Sequence, residues 1–265
     1  MTVLEFDHVT VQVGAHRLLD DVTLRLSESE FVAVVGPNGA GKTTLVRVAL
    51  GVIRPSSGRV LVDGEALSSL SGRRRAAKLG WLPQRGVVLE PIPAVDFVAA
   101  ARFRFRESRG RSLAAAQEAL ASVGAAALGG RLITDISGGE LQRVLVAALL
   151  AQETPLVLLD EPANHLDPAQ QFELYGQLAR LWRSGRSVLC VTHDANALAY
   201  SVHHSEIDRL SVVGMKNGRI EFVTSYGAAE FGASLGALFG VRMRAVDVGG
   251  RRLFVIEPPG AAPLA

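Results

Sequence analysis

The stretch Phe31-Val32-Ala33-Val34-Val35-Gly36-Pro37-Asn38-Gly39-Ala40-Gly41-Lys42-Thr43-Thr44-Leu45-Val46-Arg47-Val48-Ala49-Leu50 changes character twice. The five residues before Gly36 are continuously apolar, as a strand buried on both faces must be, and the pattern from Thr44 onward is helical. A buried strand therefore runs through a glycine-rich loop into a helix. Gly36-x-x-x-x-Gly41-Lys42-Thr43 is the Walker A pattern. Its glycines let backbone amides turn inward on phosphate oxygens, and the helix starting near Lys42 adds its positive end. In this reading Gly36, Pro37, Asn38, Gly39, Ala40, Gly41, Lys42, Thr43 and Thr44 bind a nucleotide, ATP. Lys42 reaches the β- and γ-phosphates and Thr43 binds Mg2+. A glycine-rich turn without a ligand is the plainer reading, and the strand-loop-helix setting disfavours it.

Further along the chain, Leu156-Val157-Leu158-Leu159-Asp160-Glu161 is an apolar strand ending in two carboxylates, the Walker B pattern. Asp160 would hold the magnesium shell. Glu161 would polarise the attacking water, because phosphoryl transfer depends on an oriented nucleophile more than on covalent help. Ser187-Val188-Leu189-Cys190-Val191 is another apolar run, and a helix at about 169–182 separates the two. Strand, helix, strand implies parallel pairing. Before residue 30 the apolar residues alternate with polar ones, as in Val9-Thr10-Val11-Gln12-Val13, the mark of a half-exposed antiparallel sheet. Asn217-Gly218 lies between two more strand patterns and predicts a hairpin. Residues from about 69 to 152 read as mostly helical. A helix near 228–238, a strand near 252–256 and a frayed Pro, Gly and Ala tail complete the chain.

Ile136-Ser137-Gly138-Gly139-Glu140-Leu141-Gln142-Arg143 opens a long apolar-periodic helix. Ser137 and the two glycines expose amides at its positive end, which suits a second anion site; an ordinary helix cap fits the same residues.

The 265 residues can bury a large core, in one sizeable domain or two small ones. With 48% apolar residues, 20% charged residues and a net charge of +2, neither disorder nor a general nucleic-acid role is suggested. Cys190 is the sole cysteine and excludes an internal disulfide, so a reducing compartment fits. The amino terminus lacks the pattern of a secretion signal, and no run has the apolar length of a membrane span. Arg102, Arg104, Arg106, Arg109 and Arg111, with Phe103 and Phe105 between them, could grip phosphates and bases; a solvated or partner-facing helix face is the favoured reading.

Taken in order, Walker A, Gln84 in Trp81-Leu82-Pro83-Gln84, Ser137-Gly138-Gly139-Glu140, Asp160-Glu161-Pro162, Asn164-His165-Leu166-Asp167 and Thr192-His193-Asp194 resemble the motifs of an ABC-transporter ATPase subunit. The resemblance runs from about residue 4 to 222. It implies an α/β P-loop NTPase (RecA-like) core with a mostly parallel sheet, at about 1–84 and 153–224. It implies also an amino-terminal antiparallel β-subdomain, an inserted helical subdomain at about 85–152 and an extension at about 225–265, all in one cassette. Catalysis would fall to Glu161, His193 at the γ-phosphate, and Gln84, which would also sense Mg2+ beside Thr43 and Asp160. Ser137, Gly138, Gly139 and Glu140 would meet the ATP held by a second copy in a head-to-tail dimer, with Asp167 communicating across it. The implied partners are that copy, integral-membrane permease subunits and, indirectly, a substrate-binding protein, with no direct nucleic acid. The implied location is cytoplasmic, peripheral on the inner face of the cell membrane through the permease.

Two residues depart from the family's usual pattern. Glu140 stands where Gln is commoner, and Val13 replaces the aromatic that usually stacks on adenine, with His16 and Arg17 close by. Asn164-His165-Leu166-Asp167, Arg73-Arg74-Arg75 and the tail through Gly249-Gly250-Arg251-Arg252-Leu253-Phe254 resemble bacterial importers of siderophore iron, haem and cobalamin. Zinc and manganese importers come second, and a soluble ABC ATPase acting on ribosomes or nucleic acid third.

Overall fold

The computed structural model describes residues 1–83, 90–164 and 166–257. Gln84, the tail beyond 257 and His165 lie outside the described residues.

The alternating amino-terminal segments form β1 (Thr2–Val13) and β2 (His16–Ser27), which pair antiparallel. The buried strand is β3 (Phe31–Val35), and its helix is α1 (Lys42–Ala49). Next come β4 (Ser57–Val62) and β5 (Glu65–Ala66), which extend the first sheet in the order β2-β1-β4-β5. Leu4 and Phe6 of β1 point inward with a period of two, and an irregularity at His8, φ +52, shifts the phase by one so that Val9 and Val11 point inward as well.

Helix α2 (Gly72–Lys78) leads directly into β6 (Leu79–Leu82). The mostly helical reading from about residue 69 missed this strand. Leu79 and Leu82 are buried, and a Cβ on Gly80 would stand 2.4 Å from the Thr154 hydroxyl, so glycine lets β6 lie close to the start of the next strand. The helices α3 (Ala94–Ala100), α4 (Arg109–Ser122) and α5 (Gly138–Ala151) come next and pack on one another through Ala94, Val98, Ala116, Leu120, Val144 and Ala147.

Strand β7 (Leu156–Asp160), helix α6 (Pro168–Arg183) and strand β8 (Ser187–Thr192) make the parallel unit expected, and β9 (Leu210–Lys216) with β10 (Arg219–Ser225) make the hairpin. The central sheet has the order β10-β9-β3-β8-β7-β6, parallel except for the terminal hairpin. Its two faces are both covered. Val32, Val34, Leu189, Val191 and Met215 meet α1 and the antiparallel sheet, whereas Phe31, Ala33, Val35, Val188 and Cys190 meet the helices on the other side. This explains why β3, β7 and β8 are apolar at every position up to their polar ends.

The chain ends in α7 (Phe231–Phe239) and a hairpin of β11 (Met243–Val248) and β12 (Arg251–Ile256). Strand β11 has no counterpart in the sequence reading. The hairpin is joined to the core by an aromatic cluster in which Phe231 and Phe254 meet edge-to-face at 4.7 Å and Tyr226 meets Phe254 at 5.4 Å.

The arginine-rich segment is not a solvated face where Arg102 and Arg104 stand. Arg102 is buried and pairs with Glu107 at 2.6 Å and Glu153 at 2.7 Å, while also donating to the Ala151 carbonyl. Arg104 donates to the carbonyls of Gln152 and Glu153. Both guanidinium groups lie against Phe105, at 4.0 and 3.8 Å from the ring centroid. The pair caps the carboxyl end of α5, where carbonyls lack helical partners, so the aromatic between them is already stacked.

Arg102 holds the Glu107 carboxyl at about 2, down from 4.5. A carboxyl whose pKa is depressed on folding stabilises the fold above its unfolded value, and that contribution fades as pH falls from 4.5 towards 2. Glu107→Gln is therefore expected to lower the melting temperature at pH 7 by several degrees. The gap from the parent should narrow steadily between pH 5 and 2.5 in a series of thermal melts. A gap that is constant with pH would remove the ion pair as its cause.

Candidate active site

All the parallel strands point one way, so β3, β7 and β8 deliver the residues at their carboxyl ends to the same edge of the sheet. Val35 stands beside Thr192 and beside Gly214, and Asp160 beside Val191. The glycine-rich loop, the carboxylates and His193 thus converge from distant parts of the sequence.

Two glycines make the loop possible. A Cβ on Gly36 would lie 2.1 Å from the Met215 carbonyl oxygen. Gly41 has φ +98, a left-handed conformation, and its Cβ would lie 2.6 Å from the Leu18 carbonyl oxygen. Helix α1 begins at Gly41 without any side-chain cap, whereas α4, α5 and α6 are capped by Ser108, Ser137 and Asp167. The first amides of α1 are thus left for an external acceptor.

The loop opens on a cavity of about 600 Å³, lined by Arg17, Leu18, residues 38–44, Glu161, Asn164 and His193. Lys42 is buried, and its ammonium donates to the carbonyls of Gly36 at 2.7 Å and Pro37 at 3.1 Å. Burial lowers its pKa, against the opposing pull of Glu161 and Asp160. The Thr43 hydroxyl donates to Asp160 at 3.1 Å. Asp160 is buried at the end of β7, and that burial raises its pKa, with the Thr43 hydrogen bond opposing.

Glu161 has φ +47, a left-handed conformation uncommon for a residue with a side chain. Its amide donates to the Val191 carbonyl, and its carboxylate stands 3.8 Å from Lys42 Nζ and 3.5 Å from His193 Nδ1. Asn164 Nδ2 donates to the same carboxylate at 2.5 Å. Asn164 carried no site role in the sequence reading. The signal for it was the turn after Glu161, where the Asn164 amide closes on the Glu161 carbonyl. Val13 is largely exposed and does not line the cavity; the neighbouring Arg17 and Leu18 do.

The other predicted residues lie elsewhere. Ser137 caps α5 by accepting from the Glu140 amide, and the Glu140 carboxylate accepts from the Ser137 amide at 2.8 Å, a reciprocal capping box. This bond, more than the nearby Arg131, keeps the Glu140 carboxyl acidic. The swap of Gln for Glu therefore preserves the helix start. Asp167 caps α6 in a matching box with Gln170. Gly139 lies so near Gln170 that a Cβ would come within 2.2 Å of its amide, and Gln142 donates to the Pro162 carbonyl. Residues 137–142 thus pack beside the turn after Glu161, yet they are not among the residues lining the loop's cavity.

The Thr43 hydroxyl and the Asp160 carboxylate form a pair of hard oxygen donors at the cavity edge. No cluster of three or more His, Cys, Asp or Glu side chains suited to a metal ion occurs among the described residues. The Thr43 and Asp160 oxygens suit Mg2+, which takes one or two protein oxygens and completes its shell with water and phosphate.

A family model described as ABC transporter matches residues 19–164. The hemin import ATP-binding protein HmuV of Myxococcus xanthus is 35% identical, with 98% of each chain covered. The protein of the same name from Pseudomonas aeruginosa is 36% identical over 82% of this chain and 84% of its own. The zinc import ATP-binding protein ZnuC of Paramagnetospirillum magneticum is 38% identical over 77% of this chain and 72% of its own. Among solved structures, an ABC transporter in an inward-facing conformation gives a TM-score of 0.80 at 23% identity, covering 97% of this chain and 98% of that one. A dimeric bacterial ABC transporter cassette gives 0.74 at 25% identity, covering 84% and 98%.

Proposed function

Because this chain belongs to the ABC transporter family and is an ATP-binding ATPase coupled to transport, we propose that it powers a bacterial importer of a metal chelate, haem being the favoured cargo. The observation that carries the catalytic part is the meeting of the uncapped loop, Lys42, Glu161 and His193 around one cavity. The cargo rests on the end-to-end match with a hemin import protein, which extends through α7 and the last hairpin.

In this mechanism the loop amides and Lys42 take the β- and γ-phosphates. Lys42 exchanges the carbonyls of Gly36 and Pro37 for phosphate oxygens, and the exchange is favoured because a buried ammonium gains more from full negative charge than from carbonyl dipoles. Thr43 and Asp160 would hold Mg2+, which supplies positive charge to the phosphate oxygens. Glu161 orients the attacking water and accepts its proton, steadied by Asn164. His193, beside the same carboxylate, donates towards the γ-phosphate. Residues 137–142 of a second copy would close each cavity, and closure would drive the permease subunits between inward and outward states.

No helix among the described residues is long and apolar enough to cross a membrane. We assign the membrane-spanning part of the importer to separate permease subunits, which would hold this chain at the inner face. Gln84 would be the link between the cavity and that partner. The same chain could serve zinc import, for which the zinc importer relatives argue over a shorter span. The two are separated by reconstituting the chain with its permease subunits in proteoliposomes. ATP-dependent uptake of haem at least about 10-fold above that of Zn2+ is expected. Preferential Zn2+ uptake would transfer the proposal to zinc, and co-purification with ribosomes or DNA in place of a permease would sink the importer reading.

A further inference from the structure

The last hairpin reaches back to the segment that carries His193. Phe254 of β12 stands opposite Ala245 of β11, and the amide and carbonyl of Phe254 both face away from that partner strand, towards Asn196. The Phe254 amide donates to Asn196 Oδ1 at 2.7 Å, and Asn196 Nδ2 donates to the Phe254 carbonyl at 3.0 Å. In an antiparallel ladder, residues alternate between bonding their partner and bonding outward. The Asn196 carboxamide thus takes the place of a third strand's peptide at this outward position.

Asn196 is three residues beyond His193 and opens the short 3-10 turn Asn196–Tyr200. Its own amide donates to Asp194 Oδ1 at 2.8 Å, and the Asp194 amide donates to the Thr192 hydroxyl. Further along the same turn, Arg251 of β12 donates to the Ala199 carbonyl at 3.3 Å and lies over the Phe172 and Tyr200 rings at 5.1 and 5.3 Å. His193, itself half exposed, therefore sits between two fixed points: the end of β8 on one side and the hairpin's grip on Asn196 on the other.

We propose that Asn196 is a positioning residue through which the carboxyl-terminal hairpin sets the place of His193 against Glu161 and the γ-phosphate. The inference rests on the role given to His193 above. Asn196 touches neither nucleotide nor water; it acts by fixing the backbone on which the imidazole is carried. An error of about 1 Å in a reacting group costs up to about 100-fold in rate, so a loosened turn should lower turnover without weakening the grip of the loop on ATP.

The test is a double-mutant cycle on the chain assembled with its permease. Asn196→Ala is expected to lower kcat about 10-fold with the Kd for ATP changed less than about 2-fold, and Arg251→Met about 3-fold. In a His193→Ala background neither change should lower kcat further, because both act through the imidazole. The proposal is overturned if His193→Ala lowers kcat and Asn196→Ala does not, or if the two losses multiply. If His193→Ala itself leaves kcat intact, the role of His193 falls, a result distinct from either. Should Asn196→Ala fold poorly, Asn196→Asp carries the cycle, since it can still accept from the Phe254 amide but no longer donates to the Phe254 carbonyl.

Discussion

Glu161→Gln is expected to lower ATP turnover by about 100- to 10,000-fold, the range that a general base contributes, while the affinity for ATP stays within a few-fold. The side chain keeps its shape and can still meet Asn164, but it can no longer accept a proton from water. It also removes a negative charge 3.8 Å from Lys42. Lys42 is then freer to meet phosphate, and the repulsion between carboxylate and γ-phosphate disappears. Unhydrolysed ATP should therefore hold two copies together. Phosphate release measured beside sedimentation with Mg2+ and ATP separates the two effects: the slow variant should run as a dimer, the parent mostly as a monomer. The backbone at residue 161 keeps its left-handed conformation in both, so equal melting temperatures are expected. Turnover within about 3-fold of the parent would remove Glu161 as the base.

The proposed composite site predicts an equally large effect from a residue remote from the cavity. Gly138, at the start of α5, has room: a Cβ there meets no atom within 4 Å among the described residues. Asp at this position suits the positive end of the helix, so Gly138→Asp should fold normally. Its charge would nevertheless face the phosphates that a second copy presents. Gly138→Asp and Lys42→Ala are each expected to lose nearly all hydrolysis, the second by losing ATP binding. Mixed in equal amounts, half of the dimers are mixed, and each has one site built from an intact loop and an intact segment 137–142. About a quarter of the parental activity should return, if the two sites work independently. Inactivity of the mixture, with mixed dimers demonstrated by differently tagged chains, would mean that each copy completes its own site or that one site alone cannot turn over.

The parts of the fold that were legible in the sequence are those with a strong local period. The break at Gly36 from unbroken apolar residues to a helical pattern located β3, the loop and α1. Asn217 and Gly218, at φ +50 and +78, are the pair a tight hairpin turn demands. Short edge elements were harder. Strand β6 spans four residues inside a helical stretch, and β11 is so exposed on both sides that it has little apolar pattern to detect. Long-range side-chain pairing left no local trace at all. Nothing near Arg102 announces Glu153, and nothing near Asn196 announces the backbone of Phe254. The cavity shows the same division. Glu161 and His193, the proposed catalytic pair, sit just past strand ends, where sequence reveals them, while Arg17 and Leu18 enter from the start of β2 and Asn164 from the turn after Glu161.

Strand β3 carries the nucleotide loop, and its two neighbours in the central sheet are β8 and β9, so Phe31 pairs with Val188 on one side and Leu210 on the other. The hairpin turn beyond β9 then locks onto the loop, with the Gly218 amide donating to the Ala40 carbonyl and the Gly218 carbonyl accepting from the Asp20 amide. During synthesis the first segment able to grip phosphate therefore leaves the ribosome long before the strands that hold it in place. Until residue 192 has emerged, neither edge of this fully apolar strand has its partner, and one edge stays open until β9 follows at residue 216, a template for wrong partners. The order in which the chain is made thus sets a window in which an apolar edge of this ATPase lies open, and the window closes with the same hairpin that locks onto the loop.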